Sequence, residues 1–138
     1  METKNNYDYA FKLARSVHAG KYRCDGVTPY IVHPIAVADS FTEHDYERRI
    51  VALLHDAIED CDMGFGKLAP FNHDVRYAIL LVNNFMSRPY EQYVTDLASH
   101  SLARDVKVAD IRHNLSCQPS EKAKVKYANA LKILGATP

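Results

Sequence analysis

Arg49-Ile50-Val51-Ala52-Leu53-Leu54-His55-Asp56-Ala57-Ile58-Glu59-Asp60 begins as an apolar helical run and ends in a group of ionisable residues. Packing alone gives such a segment no reason to carry four titratable side chains among its last six. Read as one continuous helix of 3.6 residues per turn, it sets His55 against Glu59, and Asp56 against both Glu59 and Asp60. One helix end then presents an imidazole and three carboxylates together. Acids gathered this closely repel one another unless a cation or solvent relieves them. A hard divalent metal ion is the economical explanation.

Outward from this run, the pattern is helical almost throughout. Upstream, Asn6 is placed to cap a first helix with the stripe Tyr7, Phe11, Ala14, Val17/His18 and a stop at Gly20. Residues 21–29 are dense in turn formers. A second helix follows with Pro34 at its first position and Ile35, Val37, Ala38 and Phe41 on its apolar face. The central run itself starts near His44 or Asp45. Downstream, Asn72 caps a helix burying Val75, Ile79, Leu80, Val82 and Phe85. Pro89 or Tyr90 opens a short helix through Leu97. Ser101 caps one with Leu102, Val106, Ala109/Asp110 and His113 on one stripe. Pro119-Ser120-Glu121 opens the last, which turns Ala123, Tyr127, Ala130/Leu131 and Leu134 inward and ends at Gly135. Only Val27-Thr28 and Tyr30-Ile31-Val32 look like strand, and both are too short for a sheet. The reading is an all-α, single-domain helical bundle over residues 1–138, with about six to eight helices.

Composition narrows the function classes. A chain of 138 residues is long enough for a real core, because ~68% of the unfolded surface is buried at this size. Lys plus Arg and Asp plus Glu both number 17, for a net charge of zero, which argues against an extended nucleic-acid surface or a membrane footprint. No apolar stretch follows the charges of Met1-Glu2-Thr3-Lys4-Asn5-Asn6, so no signal peptide is expected there. Nor does any segment approach the ~20 apolar residues of a membrane helix. Cys24, Cys61 and Cys117 form no C-x-x-C pair and suit a reducing cytoplasm. Cys61 directly follows the acidic cluster and reads as a small residue at a helix end rather than a thiolate ligand.

Ionisable residues recur on the inward stripes. His33 starts the second helix, His55 and Asp56 lie on the third, and Asp110 sits behind Val106, Val108 and Ala109, where a lone carboxylate is costly unless paired or metal-bound. Two imidazoles and two carboxylates make a mixed N/O donor set suited to Mn²⁺, Fe²⁺ or Zn²⁺. Each residue alone is weak evidence. Their order, His33, His55-Asp56, Asp110, is what carries the reading.

That H…HD…D order resembles the HD-domain metal-dependent phosphohydrolases. Among them it is most similar to RelA/SpoT-type (p)ppGpp hydrolase domains and small alarmone hydrolases. The matching stretches are His18-Ala-Gly-Lys-Tyr-Arg23, Gly26-Val-Thr-Pro-Tyr30-Ile-Val-His33-Pro34, Ala52-Leu-Leu-His55-Asp56-Ala-Ile-Glu59-Asp60 and Ala103-Arg-Asp-Val-Lys107-Val-Ala-Asp110. The resemblance covers roughly residues 7 to 116. It implies the HD-type bundle and one metal ion, Mn²⁺ in the nearest relatives, held by His33, His55, Asp56 and Asp110. Glu59 and Asp60 match the acidic pair that positions or deprotonates the attacking water. Arg23 matches a phosphate-gripping arginine, Lys21 is a candidate second cation, His18 matches a position lining the site, and Asn114 matches a nucleotide-contacting asparagine. The other histidines, His44, His73, His100 and His113, are expected at the surface or in packing.

Two positions depart from the family pattern. Cys24 stands where a second basic residue often follows the arginine, and Ile111 where a basic residue usually follows the metal aspartate. The implied function is a cytoplasmic, metal-dependent phosphohydrolase of a phosphorylated nucleotide, in its sharpest form a (p)ppGpp 3′-pyrophosphohydrolase of the stringent response. Alternatives are an HD phosphohydrolase of another nucleotide, a nicotinamide cofactor or an RNA end, or a non-catalytic, metal-containing nucleotide sensor.

Overall fold

A computed structural model describes residues 1–137. Among them are eight α-helices: α1 Lys4–Val17, α2 Val32–Asp39, α3 Tyr46–Leu53, α4 Ala57–Cys61, α5 His73–Val82, α6 Tyr90–Leu97, α7 Ser101–Leu115 and α8 Glu121–Ile133, with a 3₁₀ turn at Phe65–Leu68. The all-α expectation holds, and the strand-like residues supply only an isolated antiparallel bridge between Tyr22 and Pro29.

Short polar side chains start the helices by accepting from otherwise unpaired N–H groups. Asp45 accepts from Arg48 N at 3.2 Å, Asn72 from Val75 N at 2.9 Å and Ser120 from Ala123 N at 3.1 Å. Two starts differ from the sequence reading. The α1 cap is Thr3, whose hydroxyl accepts from Asn6 N at 3.2 Å, while the Asn6 amide donates to Glu2. His100, not Ser101, caps α7. Pro34 is the third residue of α2 rather than its first, because the chain already turns at Val32 and His33, whose N–H groups donate to Pro29 and Tyr30 carbonyls. A proline is tolerated there because first-turn N–H groups lack helical partners anyway. At the other end of the chain, Gly135 stops α8 as expected. With φ of 73° it turns the chain so that Ala136 N donates to Leu131 O at 2.9 Å and Gly135 N to Lys132 O at 3.1 Å, the paired bonds of a glycine C-terminal cap.

The centre of the molecule is α3. Ile50, Val51, Ala52, Leu53 and Leu54 are all fully buried, so the second half of α3, unlike its polar first turn, is apolar on every side and enclosed by the core. It packs against α1, α2, α5 and α7, and Ala10 and Ala14 of α1 are small enough to allow close approach. Phe85 lies outside this core. Since α5 ends at Val82, Phe85 is exposed and meets the Phe65 ring edge-on instead.

The continuous helix expected to carry the acidic cluster is divided. Leu54 and Asp56 leave helical geometry (φ −113° and −130°), and a new helix, α4, starts at Ala57. Asn83 makes this break possible. Fully buried at the end of α5, it accepts from Ile58 N and Glu59 N at 3.0 and 3.2 Å and donates to Leu54 O and Ile79 O at 3.0 and 2.7 Å. Asn83 thereby caps α4 in place of Asp56, whose carboxylate is left for other partners.

Candidate active site

The break between α3 and α4 aims His55 and Asp56 toward α2 and α7. The His55 Nδ1–H donates to Ala52 O at 2.6 Å, which fixes the ring and leaves Nε2 facing outward from α3. There Nε2 lies 3.3 Å from Asp110 Oδ1 on α7, and His33 Nε2 on α2 lies 2.8 Å from the same oxygen. One ligand atom from each of His33, His55 and Asp110 falls within 4.8 Å of the others, and all three residues are buried. Ligand atoms ~2.1 Å from a shared ion and at right angles stand ~3 Å apart. The donor chemistry and spacing therefore fit a first-row divalent ion.

Asp56 stands at the edge of this group. Its Oδ2 is 3.8 Å from His55 Nε2 and accepts from the Tyr30 hydroxyl. Its Oδ1 is buried and faces the equally buried His18 Nε2 at 3.4 Å, with no other partner for either atom. His18 in turn places Nδ1 3.3 Å from Cys61 Sγ.

Electrostatics hold the cluster in definite charge states. Burial alone would raise the Asp110 pKa, but Lys107 at 2.8 Å, His55 and the bond from His33 hold it well below the usual carboxylate range. Lys107 is shifted well upward by the same pair, against the effect of its own burial. For His55, burial opposes protonation, yet the carboxylates of Asp56 and Asp110 outweigh it and push the pKa up to about 9. Burial lowers His33. Asp56 is held well below its ordinary value because the charge of His55, the close approach of His18 and the bond from Tyr30 outweigh its burial. Partial burial, then the charges of Asp56 and Glu59, raises Asp60.

These residues line a cavity of about 320 Å³ with Tyr30, Glu59, Asp60, Asn84, Tyr90, Tyr93, Lys107, Asn114, Lys126 and Tyr127 among its walls. Glu59 is fixed there by accepting from Asn84 N at 3.2 Å. Asn114 donates to Asp110 Oδ1 at 3.2 Å and accepts from Arg23 Nη2 at 3.4 Å, so the loop arginine reaches the site through the asparagine. That loop is braced by Asp25, which accepts from Val27 N, Thr28 N and the Thr28 hydroxyl. Lys21 lies outside the lining, donating to Asp60 O at 3.3 Å. A larger cavity, about 660 Å³ between α2, α7 and residues 135–137, is lined by Arg104 and Arg112. Arg104 donates to Leu134 O at 2.9 Å and to Asp105 Oδ1 at 2.6 Å, and Arg112 to Thr137 O at 3.4 Å.

No protein-family model matches the chain. Curated relatives do. The guanosine-3′,5′-bis(diphosphate) 3′-pyrophosphohydrolase of Vibrio cholerae is 48% identical over 56 residues, 39% of this chain and 8% of that protein. The bifunctional (p)ppGpp synthase/hydrolase SpoT of Escherichia coli is 51% identical over 53 residues, 37% and 7% respectively. A probable GTP pyrophosphokinase of Mycobacterium leprae is 29% identical over 140 residues, 91% of this chain and 18% of the relative. The chain thus spans under a fifth of the length of these relatives. A solved structure described as a metazoan orthologue of SpoT that hydrolyses ppGpp superposes with a TM-score of 0.76 at 23% identity, covering 97% of this chain and 85% of that one.

The fold is that of the SpoT orthologue. Within this SpoT-like fold, His33, His55, Asp56, Glu59, Asp60, Asp110 and Asn114 share one cavity, while Arg23, His18 and Lys21 are not part of its lining and reach it through Asn114, Asp56 and the Asp60 carbonyl respectively. His113, expected in packing or at the surface, packs by stacking on His33 at 4.9 Å with their Nδ1 atoms 2.7 Å apart, which brings it beside the site. Its place one turn beyond Asp110 on the same stripe was the available signal. Asn83, Lys107, Tyr90 and Lys126 were not singled out by the sequence. Lys107, three residues before Asp110 on a helix, is the one that i,i+3 spacing could have found.

Proposed function

We propose that this chain is a phosphohydrolase, dependent on one divalent metal ion, that removes pyrophosphate from the ribose 3′ position of guanosine tetra- or pentaphosphate. The observation that carries the reading is the convergence of His33, His55 and Asp110 within 4.8 Å, with Glu59 and Asp60 on the wall of the same cavity. The hydrolase names of the curated relatives support the substrate. His33, His55 and Asp110, completed by Asp56, would hold the ion, which we assign as Mn²⁺, with Fe²⁺ or Zn²⁺ compatible with the same donors. Such an ion supplies Lewis-acid neutralisation of phosphate charge and lowers the pKa of bound water. Asp60, with its pKa raised, is suited to accept the proton of the attacking water. Glu59, anchored by Asn84, orients that water, and Arg23 with Asn114 grips phosphate oxygens at the cavity mouth. Lys21 secures the end of α4 beside them, and His18 steadies Asp56.

We take residues 1–138 as a single domain. The three free cysteines fit a reducing cytoplasm, and no helix of the described residues is long and apolar enough to cross a membrane. A non-catalytic sensor is the competing class, and the water-handling pair Glu59-Asp60 argues against it.

The test is manganese-dependent release of pyrophosphate from guanosine tetraphosphate. The combined variant Glu59→Gln/Asp60→Asn is expected to bind manganese and lose at least ~10²-fold in kcat. A variant that binds metal and turns over at the parent rate would remove the catalytic role of these acids. A parent that binds the nucleotide yet releases no product would favour the sensor.

A further inference from the structure

Besides Glu59, Asp60 and the candidate ligands, the cavity is lined by two lysines, Lys107 and Lys126, among the aromatic rings of Tyr90, Tyr93 and Tyr127, and their partners separate the two. Lys107 is committed, its ammonium 2.8 Å from Asp110. Lys126 is not. It belongs to no ion pair among the described residues, and the residues three and four away on α8, Lys122, Ala123, Asn129 and Ala130, offer no carboxylate. Its ammonium sits 4.3 Å from the Tyr90 ring centroid and 5.4 Å from that of Tyr127, so two aromatic faces define its position. The Tyr90 hydroxyl is buried with no hydrogen-bond partner, although a buried donor normally finds one. Lys107 lies 5.8 Å from the same Tyr90 ring. The cavity therefore holds an unpaired ammonium and an unpaired hydroxyl one tyrosine ring away from the Lys107–Asp110 pair.

We propose that Lys126 and Tyr90 form a second phosphate position that selects substrates presenting a diphosphate over those presenting a monophosphate. This deepens the function proposed above and rests on it for the first phosphoryl group, which the His33, His55 and Asp110 side of the cavity receives. The second phosphoryl group carries its own charge and needs a cation that the acidic side of the cavity does not supply. Lys126 offers three N–H donors with no competing acceptor, and Tyr90 one O–H. A cavity of about 320 Å³, at the small end for ligand sites, suits the phosphate end of a nucleotide better than the whole molecule. Neither residue touches the reacting atoms in this assignment. Both hold and discriminate.

The experiment is calorimetric titration of inorganic pyrophosphate and, separately, inorganic phosphate into the full chain, with manganese at one fixed concentration for all variants. Lys126→Met keeps the stem against Tyr90 and removes the charge, and Tyr90→Phe removes only the hydroxyl. Lys126→Met is expected to weaken pyrophosphate at least ~10-fold and phosphate by less than ~3-fold, Tyr90→Phe to weaken pyrophosphate ~3-fold or more, and Lys126→Arg to stay within ~3-fold of the parent. Unchanged thermal midpoints would show that the folds are equal. Parent-like pyrophosphate affinity in Lys126→Met overturns the proposal, as does an equal loss for both anions. The readout needs no turnover. A parent inactive on guanosine tetraphosphate that still shows the pyrophosphate difference would sink the proposed reaction and leave the second phosphate position standing.

Discussion

His33 gives one ring nitrogen to Asp110 and the other to His113, and both rings are pushed toward the neutral form by burial. Between two neutral imidazoles whose Nδ1 atoms meet, one must donate and the other accept. If His33 Nε2 is to face an ion with its lone pair, its Nδ1–H must donate to His113. A ligand histidine held through its second nitrogen is ordered in both rotation and tautomer. His113→Phe keeps the stacked ring but deletes the acceptor, and we expect manganese affinity to fall ~10- to 100-fold, read by calorimetry.

His55 makes a pH prediction. Its folded pKa of about 9 lies above the ordinary 6.5, so its charged form stabilises the metal-free protein fully below pH 6.5. That contribution is lost as pH rises toward 9. His33, shifted the other way, stays neutral across the same window. An ion at the proposed site would replace the His55 proton, so the manganese-induced rise in thermal midpoint should grow between pH 6.5 and 9. A constant or shrinking rise would contradict the assigned charge states.

At the scale of elements, the deciding feature is the division between α3 and α4. The apolar run Ile50–Leu54, read from sequence, does form the buried central helix. The same sequence could not show the division after it, because nothing local stops the helix: there is no glycine or proline between Leu53 and Asp60. The stop comes from Asn83, 25 residues away from Ile58, whose amide bonds both sides of the gap. Capping by distant residues leaves no periodic trace. The candidate ligands were legible because buried ionisable groups on apolar stripes are anomalous, whereas Lys107 and Lys126 looked like ordinary helix lysines. Asn83→Ala would leave two buried N–H groups without an acceptor, and we expect a loss of about 2–4 kcal/mol in urea unfolding. Asn83→Asp, which accepts but cannot donate to Leu54 and Ile79, should also destabilise. If both variants unfold like the parent, α4 is held by something else.

For the whole molecule, the proposed ligand side chains come from α2, the α3–α4 gap and α7, all packed on one hydrophobic cluster that runs from Ala10 to Leu134. Lys107 and His55 offset the charge of Asp110 without an ion, so the core is expected to hold when no ion is bound. Chelation should therefore lower the thermal midpoint without unfolding the chain at 25 °C, and helical circular dichroism should persist. Loss of helical signal on chelation would mean that the ion builds the fold. Lys107→Met should shift this balance. The metal-free form is expected to lose about 3 kcal/mol or more as Asp110 is left unpaired, and part of that should return when manganese is added.

The claim beneath all of this is that His33, His55, Asp56 and Asp110 share a single cation. Anomalous diffraction from a manganese-loaded crystal tests it most directly. One strong peak is expected within ~2.3 Å of His33 Nε2, His55 Nε2 and an Asp110 oxygen, with Asp56 closing from its present edge position to join them. A manganese-replete crystal with no peak there, or with the ion bound elsewhere and these side chains turned apart, would contradict it.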